Sequence, residues 1–264
     1  MSIFEQRTLT CPHCGAEAEH TVAVSVNGGR SPQYRQQILD GAFQVMTCAT
    51  CGEKADADGP FIYIDLRAKQ WIGCFPRAWE PAWRSYESEP LDSWRRSMVD
   101  HAPSNVRRMS DGFRVRAVFG LPALREKLLC FAYDIDDRVL EALKLDLLRG
   151  HAALTMHPAA RPLLIQAGDA SLALIARVPP ADADRASPGA GPGAGPGAGP
   201  GVAPGAGSGF GAAWRDVRIT VPRAELDRIR ADAPAWAGVL VEVAGGPYVD
   251  LGRIMLSGTA RLTA

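Results

Sequence analysis

From Glu19 to Val26 apolar and polar residues alternate, with Val22, Val24 and Val26 on one side, and this period of two predicts a strand. Ser31-Pro32 follows as an N-cap and a proline suited to the first helical position. Tyr34, Ile38 and Leu39 give a short helical apolar face, and Gly41 stands where a left-handed residue stops a helix. Phe43 and Val45 resume the alternation and lead into Cys48. Phe61–Ile64 and Trp71–Phe75 predict two more strands, joined by a hairpin loop over 67–70. Residues 1–78 therefore read as a β-rich region with one short inserted helix.

The pattern over 79–150 is mainly helical. Pro122 opens a helix through Leu124, Leu128 and Leu129. Asp134 is placed as the N-cap of the next, with Asp136 and Asp137 in its first turn, where negative charge complements the helix dipole. Val139, Leu140, Leu143 and Leu147 form its buried stripe, and Gly150 ends it. Leu163–Ile165 and Leu172–Ile175 predict a hairpin turning at Gly168-Asp169. A Gly/Ala/Pro repeat then runs from Pro188 to Gly209; it has almost nothing to bury and is expected to be a disordered linker or an expanded loop, taken as 186–211. Beyond it, Val217–Val221 predicts a strand, Pro222 starts a helix carrying Leu226 and Ile229, and Val239–Val243 and Tyr248–Leu256 predict further strands.

Composition narrows the function classes. Hydrophobic residues make up 47%, enough to build a core without disulfides. Lys plus Arg and Asp plus Glu are 29 each, so the basic excess usual in nucleic-acid-binding domains is missing. The start, MSIFEQRTLTCP, has no secretory pattern, and no apolar run approaches the length of about 18 residues that a membrane span needs. The expected compartment is the cytoplasm, where thiols stay reduced, so the six cysteines are expected to be metal ligands or core residues.

Four of those cysteines carry the candidate chemistry. Cys11-Pro-His-Cys14-Gly and Cys48-Ala-Thr-Cys51-Gly are two C-x-x-C-G knuckles. Four thiolates close a tetrahedron around a structural zinc, and the trailing glycine relieves the crowded backbone after the second ligand. Cys11, Cys14, Cys48 and Cys51 are thus the expected ligands of one structural Zn²⁺, with iron an alternative occupant. A thiol redox pair is the rival reading, although both pairs sit at strand ends rather than at a helix start. His13 is expected to point outward, and His20 is not needed as a ligand.

The Cys-Pro-x-Cys knuckle, the stretch Ile38-Leu39-Asp40-Gly41-Ala42-Phe43, the second knuckle ending in Gly52, and Pro60-Phe61-Ile62-Tyr63-Ile64-Asp65 together resemble the bacterial CpXC domain family. The resemblance covers about residues 8–150 and extends to Glu126-Lys127 and Asp136-Asp137-Arg138. It implies a zinc-ribbon-like module, supports the four ligands and nominates no catalytic residue.

The expected fold class is α+β: an N-terminal four-cysteine zinc ribbon with a helical insertion (1–78), a helical middle segment of the same domain (79–150), and an α/β C-terminal part (151–264). Asp134, Asp136, Asp137, Glu141 and Lys144 could serve acid–base or metal chemistry, but a capped helix with an i,i+3 Glu141–Lys144 pair explains their spacing; Arg138 is a candidate buried partner for one of the acids. Cys74 and Cys130, each among apolar residues, are expected in the core, as are Trp71, Trp79, Trp83 and Trp94 in core or interface. The arginines of 84–116 form a solvated face or a nucleic-acid contact. The function expected is a non-enzymatic protein-interaction or scaffold module with an unidentified protein partner and no membrane association; the alternatives are a nucleic-acid-associated zinc ribbon and a thiol redox switch or enzyme.

Overall fold

The computed structural model describes residues 1–178 and 214–257, so the linker expected at 186–211 lies outside the described residues. Ten strands and eight α-helices are assigned there, and the class is α+β.

The first strands are β1 (Ile3–Thr10) and β2 (Glu17–Asn27), an antiparallel hairpin. Helix α1 (Pro32–Asp40) starts at the proline and stops at Gly41, which takes the left-handed φ of 71°. A small hairpin of β3 (Val45–Thr47) and β4 (Lys54–Asp56) follows, and then the larger one of β5 (Phe61–Asp65) and β6 (Gln70–Phe75). Two strand readings need correction here. β1 was not anticipated, because its residues are mostly exposed on both faces and show no apolar alternation. Within 79–150, expected to be mainly helical, Arg114–Phe119 forms strand β7.

These strands make a five-stranded mixed sheet in the order β1-β2-β5-β6-β7, with β2/β5 and β6/β7 parallel. The parallel β6–β7 pair encloses the excursion that carries a 3₁₀ segment (Arg77–Ser85), α2 (Glu89–Arg95), a π-helical turn (Arg96–Asp100) and α3 (Ser104–Arg107). The pleat divides β6 and β7 between two cores. Ile72, Cys74 and Val118 face a cluster with Val26, Tyr63, Leu124 and Leu128. Phe75, Ala117 and Phe119 face Trp83 and Tyr248 on the other side.

Helix α4 (Leu121–Ala132) joins this sheet to the rest. Its Leu124 and Leu128 pack on the five-stranded sheet, while Cys130 belongs to the largest core, shared with α5 (Asp137–Gly150). That core is closed by an antiparallel sheet in the order β10-β9-β8, made of β8 (Leu163–Ala167), β9 (Ser171–Val178) and β10 (Arg215–Pro222). Helices α6 (Ala224–Ala231), α7 (Ala233–Val243) and α8 (Gly252–Met255) complete it.

Helices α7 and α8 overturn the two strands expected near the C-terminus. Val239, Val241 and Val243 would share one face of a strand, yet Val241 is 74% exposed; Trp236, Val239 and Val243 are buried at helical spacing. Over 248–256 the Asp250 carboxylate accepts from the Gly252 N–H at 2.6 Å and turns the chain into α8. No helix of the described residues is long and apolar enough to cross a membrane.

Candidate metal centre

Each cysteine pair caps a hairpin, the first between β1 and β2 and the second between β3 and β4. The two turns repeat one backbone pattern. The Cys11 N–H donates to Ala16 O at 2.8 Å and the Gly15 N–H to Cys11 O at 2.9 Å. Likewise the Cys48 N–H donates to Glu53 O at 2.9 Å and the Gly52 N–H to Cys48 O at 2.9 Å. Gly15 and Gly52 close the turns at φ 75° and 76°, a conformation that side chains disfavour. Amides point inward at equivalent places, with the Ala16 N–H on the Cys14 sulfur and the Glu53 N–H on the Cys51 sulfur.

The turns face each other so that sulfurs meet across the hairpins. Cys11 Sγ lies 3.8 Å from Cys51 Sγ, and Cys14 Sγ lies 3.6 Å from Cys48 Sγ. All four sulfurs fall within 4.8 Å of one another and could hold a metal ion. Sulfurs placed tetrahedrally about 2.3 Å from a centre stand about 3.8 Å apart, so the observed spacing fits an S₄ site. Cys11 and Cys48 are buried, Cys14 and Cys51 exposed.

The electrostatics fit the same use. The N–H groups of Cys51 and Thr50 bring the Cys48 thiol down to about 6. Cys51 is pushed up to about 12: the Glu53 N–H opposes the shift, but burial and the three neighbouring sulfurs outweigh it. The cluster accepts a first negative charge easily and further charge only against repulsion, which a central cation removes. His13 is exposed and His20 sits on β2 opposite Arg7; neither joins the sulfur cluster.

One positioning residue was missed by the sequence reading. Gln44, in the left-handed region at φ 53°, joins the second hairpin to the main sheet. Its Oε1 accepts from the Ala23 N–H of β2, its Nε2 donates to Ala57 O at 3.2 Å, and its backbone O accepts from the Ala57 N–H at 2.7 Å. No motif distinguishes such a glutamine before its backbone conformation is known.

The charged residues of α5 are placed differently from expectation. Asp136 is the N-cap, accepting from the Arg138 N–H at 3.0 Å, whereas Asp134 lies outside the helix at φ 50°. Arg138 does pair with one of these acids, Asp136 at 2.6 Å, but it is exposed rather than buried. Asp137, Glu141 and Lys144 are buried together with Glu126 and Lys127 of α4. Lys144 Nζ lies 2.6 Å from Glu126 and 2.8 Å from Glu141, and Lys127 Nζ lies 3.4 Å from Glu141 and 3.5 Å from Asp137. Arg116 of β7 donates to both Asp137 oxygens, at 2.7 and 3.0 Å. The other donors come from distant segments: the Leu164 N–H to Glu126 at 2.6 Å and the Leu251 N–H to Glu141 at 3.0 Å. Lys127 in turn donates to Val249 O at 2.5 Å. Burial resists the charge of Asp137, but Lys127 and Arg116 hold its carboxyl well below the usual range, while burial pushes Glu141 up to about 7 against the opposing pull of Lys144.

Cys74 and Cys130 are buried thiols whose acidity burial suppresses, as expected of core residues. Trp71 and Trp83 are buried, Trp94 is half-buried, and Trp79 stacks on Tyr86 with ring centroids 4.8 Å apart.

A family model described as CpXC protein matches residues 9–144, more than half of the chain. No curated protein and no solved structure matches it.

Proposed function

Taking as premise that the chain belongs to the CpXC family, we propose that Cys11, Cys14, Cys48 and Cys51 hold one zinc ion as a structural tie between the two hairpins. The protein then works as a non-enzymatic interaction or scaffold module for a protein partner in the cytoplasm. The observation that carries the zinc reading is the cross-hairpin sulfur spacing of 3.6 and 3.8 Å, which suits four Zn–S bonds of about 2.3 Å. When bound, the ion supplies charge neutralisation and cross-linking. With all four positions taken by sulfur, it has no open site for a substrate.

Elemental analysis of the purified chain tests this: about one zinc per chain is expected, with sulfur-only coordination by X-ray absorption. Iron in its place corrects the metal, and neither metal in carefully prepared protein overturns the site. Alkylation separates the tie from a thiol switch. Bound thiolates react slowly and are unmasked together by a chelator; one thiol reacting fast with zinc retained, and a reversible Cys11–Cys14 or Cys48–Cys51 disulfide, would establish the switch.

A nucleic-acid reading has one observation in its favour. Arg95, Arg96, Arg107 and Arg108 are exposed and have no carboxylate partner among the described residues. Binding to mixed RNA or DNA that weakens steeply with salt supports it; a flat salt response returns the reading to protein partners.

A further inference from the structure

A cavity of about 250 Å³ lies where α1, α4 and the β8–β9 hairpin meet. Its walls are mainly apolar, with Phe43 and Leu121 on one side and Leu163 and Ile175 on the other. Two guanidinium groups without a carboxylate partner among the described residues, those of half-buried Arg125 and of Arg77 at the exposed rim, also line it. Other charges at the lining are committed or peripheral. Arg161 is bound between Glu80 at 2.6 Å and Asp250 at 2.5 Å, Arg177 stands 3.8 Å from Asp216, and Asp56 is exposed.

Arg125 is the telling residue. Among the described residues its buried Nε has no hydrogen-bond partner and one Nη donates to Ile165 O at 3.3 Å, which leaves the other Nη for a ligand. A buried donor left unpaired is costly, and a guanidinium is shaped to receive a carboxylate. Arg77 reinforces the site from the adjoining turn. Its stem packs over Gly120, where an added Cβ would meet Arg77 Cβ at 3.4 Å. Gly120 is the N-cap of α4 and offers no capping side chain, so the positive end of a 12-residue helix opens beside Leu121 and Pro122, both on the cavity wall.

We propose that this cavity binds a small amphiphilic acid, with its carboxylate between Arg125 and Arg77 and its apolar body against Phe43, Leu121, Leu163 and Ile175. The volume suits about eight to ten non-hydrogen atoms. The apolar walls select against a bare anion, and the two guanidiniums select against a neutral or cationic head.

The test uses the full metal-loaded chain and octanoate, followed by calorimetry and ligand-observed NMR. Octylamine and octanol serve as head-group controls, acetate and inorganic phosphate as bare anions. Octanoate is expected to bind, with the four controls at least about tenfold weaker. Arg125→Gln and Arg77→Gln should each weaken octanoate by about tenfold, with Arg125→Lys recovering part of the loss. Ile175→Trp, which fills the apolar end and touches neither arginine's charge, should abolish binding. Metal content and circular dichroism confirm that each variant is folded; if Arg125→Gln is not, Arg77→Gln and Ile175→Trp decide. The proposal is overturned if octanoate fails to bind at millimolar concentration, if octylamine or octanol binds equally, if acetate or phosphate matches octanoate, or if the folded variants bind as the parent does.

Discussion

At the hairpin tips four sulfurs converge with two of their residues exposed, and across α4 and α5 the carboxylates of Glu126, Glu141 and Asp250 converge with no comparable exposure. Both groups bring metal-ligating atoms within 4.8 Å of one another. They differ in where the positive charge comes from. The carboxylates surround the chain's own ammonium, since Lys144 Nζ touches Glu126 and Glu141. Among the described residues the sulfurs have no lysine or arginine as hydrogen-bond partner; they meet each other and backbone amides. A cluster that carries its own counter-ion is complete once folded, whereas one that does not depends on an ion from solution.

The difference predicts that stripping the metal breaks one region and spares the other. Chelation, or Cys48→Ser, should remove stabilisation on the order of 10 kcal/mol from the ribbon, as in zinc-dependent peptides. Hydrogen exchange should then show the two knuckle hairpins, 8–19 and 45–56, losing protection while β5, which is packed in the core with Leu124 and Leu128, and α5 keep it; uniform loss along the chain would mean that the regions are not separable. The converse experiment is Lys144→Met. It strands two buried carboxylates and should cost about 3–5 kcal/mol, read as a fall in the denaturation midpoint, with metal content unchanged.

Gln44→Ala removes two hydrogen bonds that seat the second hairpin and should cost about 1–2 kcal/mol. It should also weaken metal affinity in a competition titration, because the second knuckle is then less well placed. A normal affinity would show that the metal alone positions the knuckles. The smallest effect is in pH. Glu141, raised to about 7 in the fold, has an ordinary value of about 4.3 in an unfolded chain. Between those values the native state keeps a proton that the unfolded chain has released, so this group's contribution falls as pH rises. Asp137, held low, acts with the opposite sign and loses its contribution only in stronger acid. The midpoint difference between parent and Glu141→Gln, followed from pH 5 to 7, should therefore shrink or reverse as pH rises; a constant difference would remove Glu141 from the account.

The sulfur site was legible because its information is local: each knuckle is five residues with a glycine at a fixed place, and β5 and β6 are short apolar runs on either side of a turn. The buried ion cluster was not, because charges at helical spacing look alike whether they face water or a core. Only the pairing of α4 with α5, and of both with 249–251, separates the two cases. Arg116 shows the same ambiguity: in sequence it belongs to a basic face, yet in the fold it is the bidentate partner of Asp137. Strand β7 was hidden by these arginines, and α7 by its valines, whose β-branched preference yields to burial of Trp236, Val239 and Val243 along one helical side. The cap moved from Asp134 to Asp136 because sequence offers several acids and only one can reach a free N–H at the helix start.

The dependence of Glu126 and Glu141 on Leu164 and Leu251 also bears on the order in which the chain leaves the ribosome. The family match ends at 144, yet the donors that complete its two innermost carboxylates are made later. A nascent chain that has emerged only through α5 holds those acids without their last partners, so α4 and α5 should stay loosely associated and open to chaperones. The hairpin tips are complete once β4 ends at Asp56, and their four sulfurs can come together much earlier. Vectorial synthesis therefore gives this molecule a built-in sequence of events, with the two knuckle turns able to meet first and the sealing of the ionic core deferred until residues 249–251 arrive.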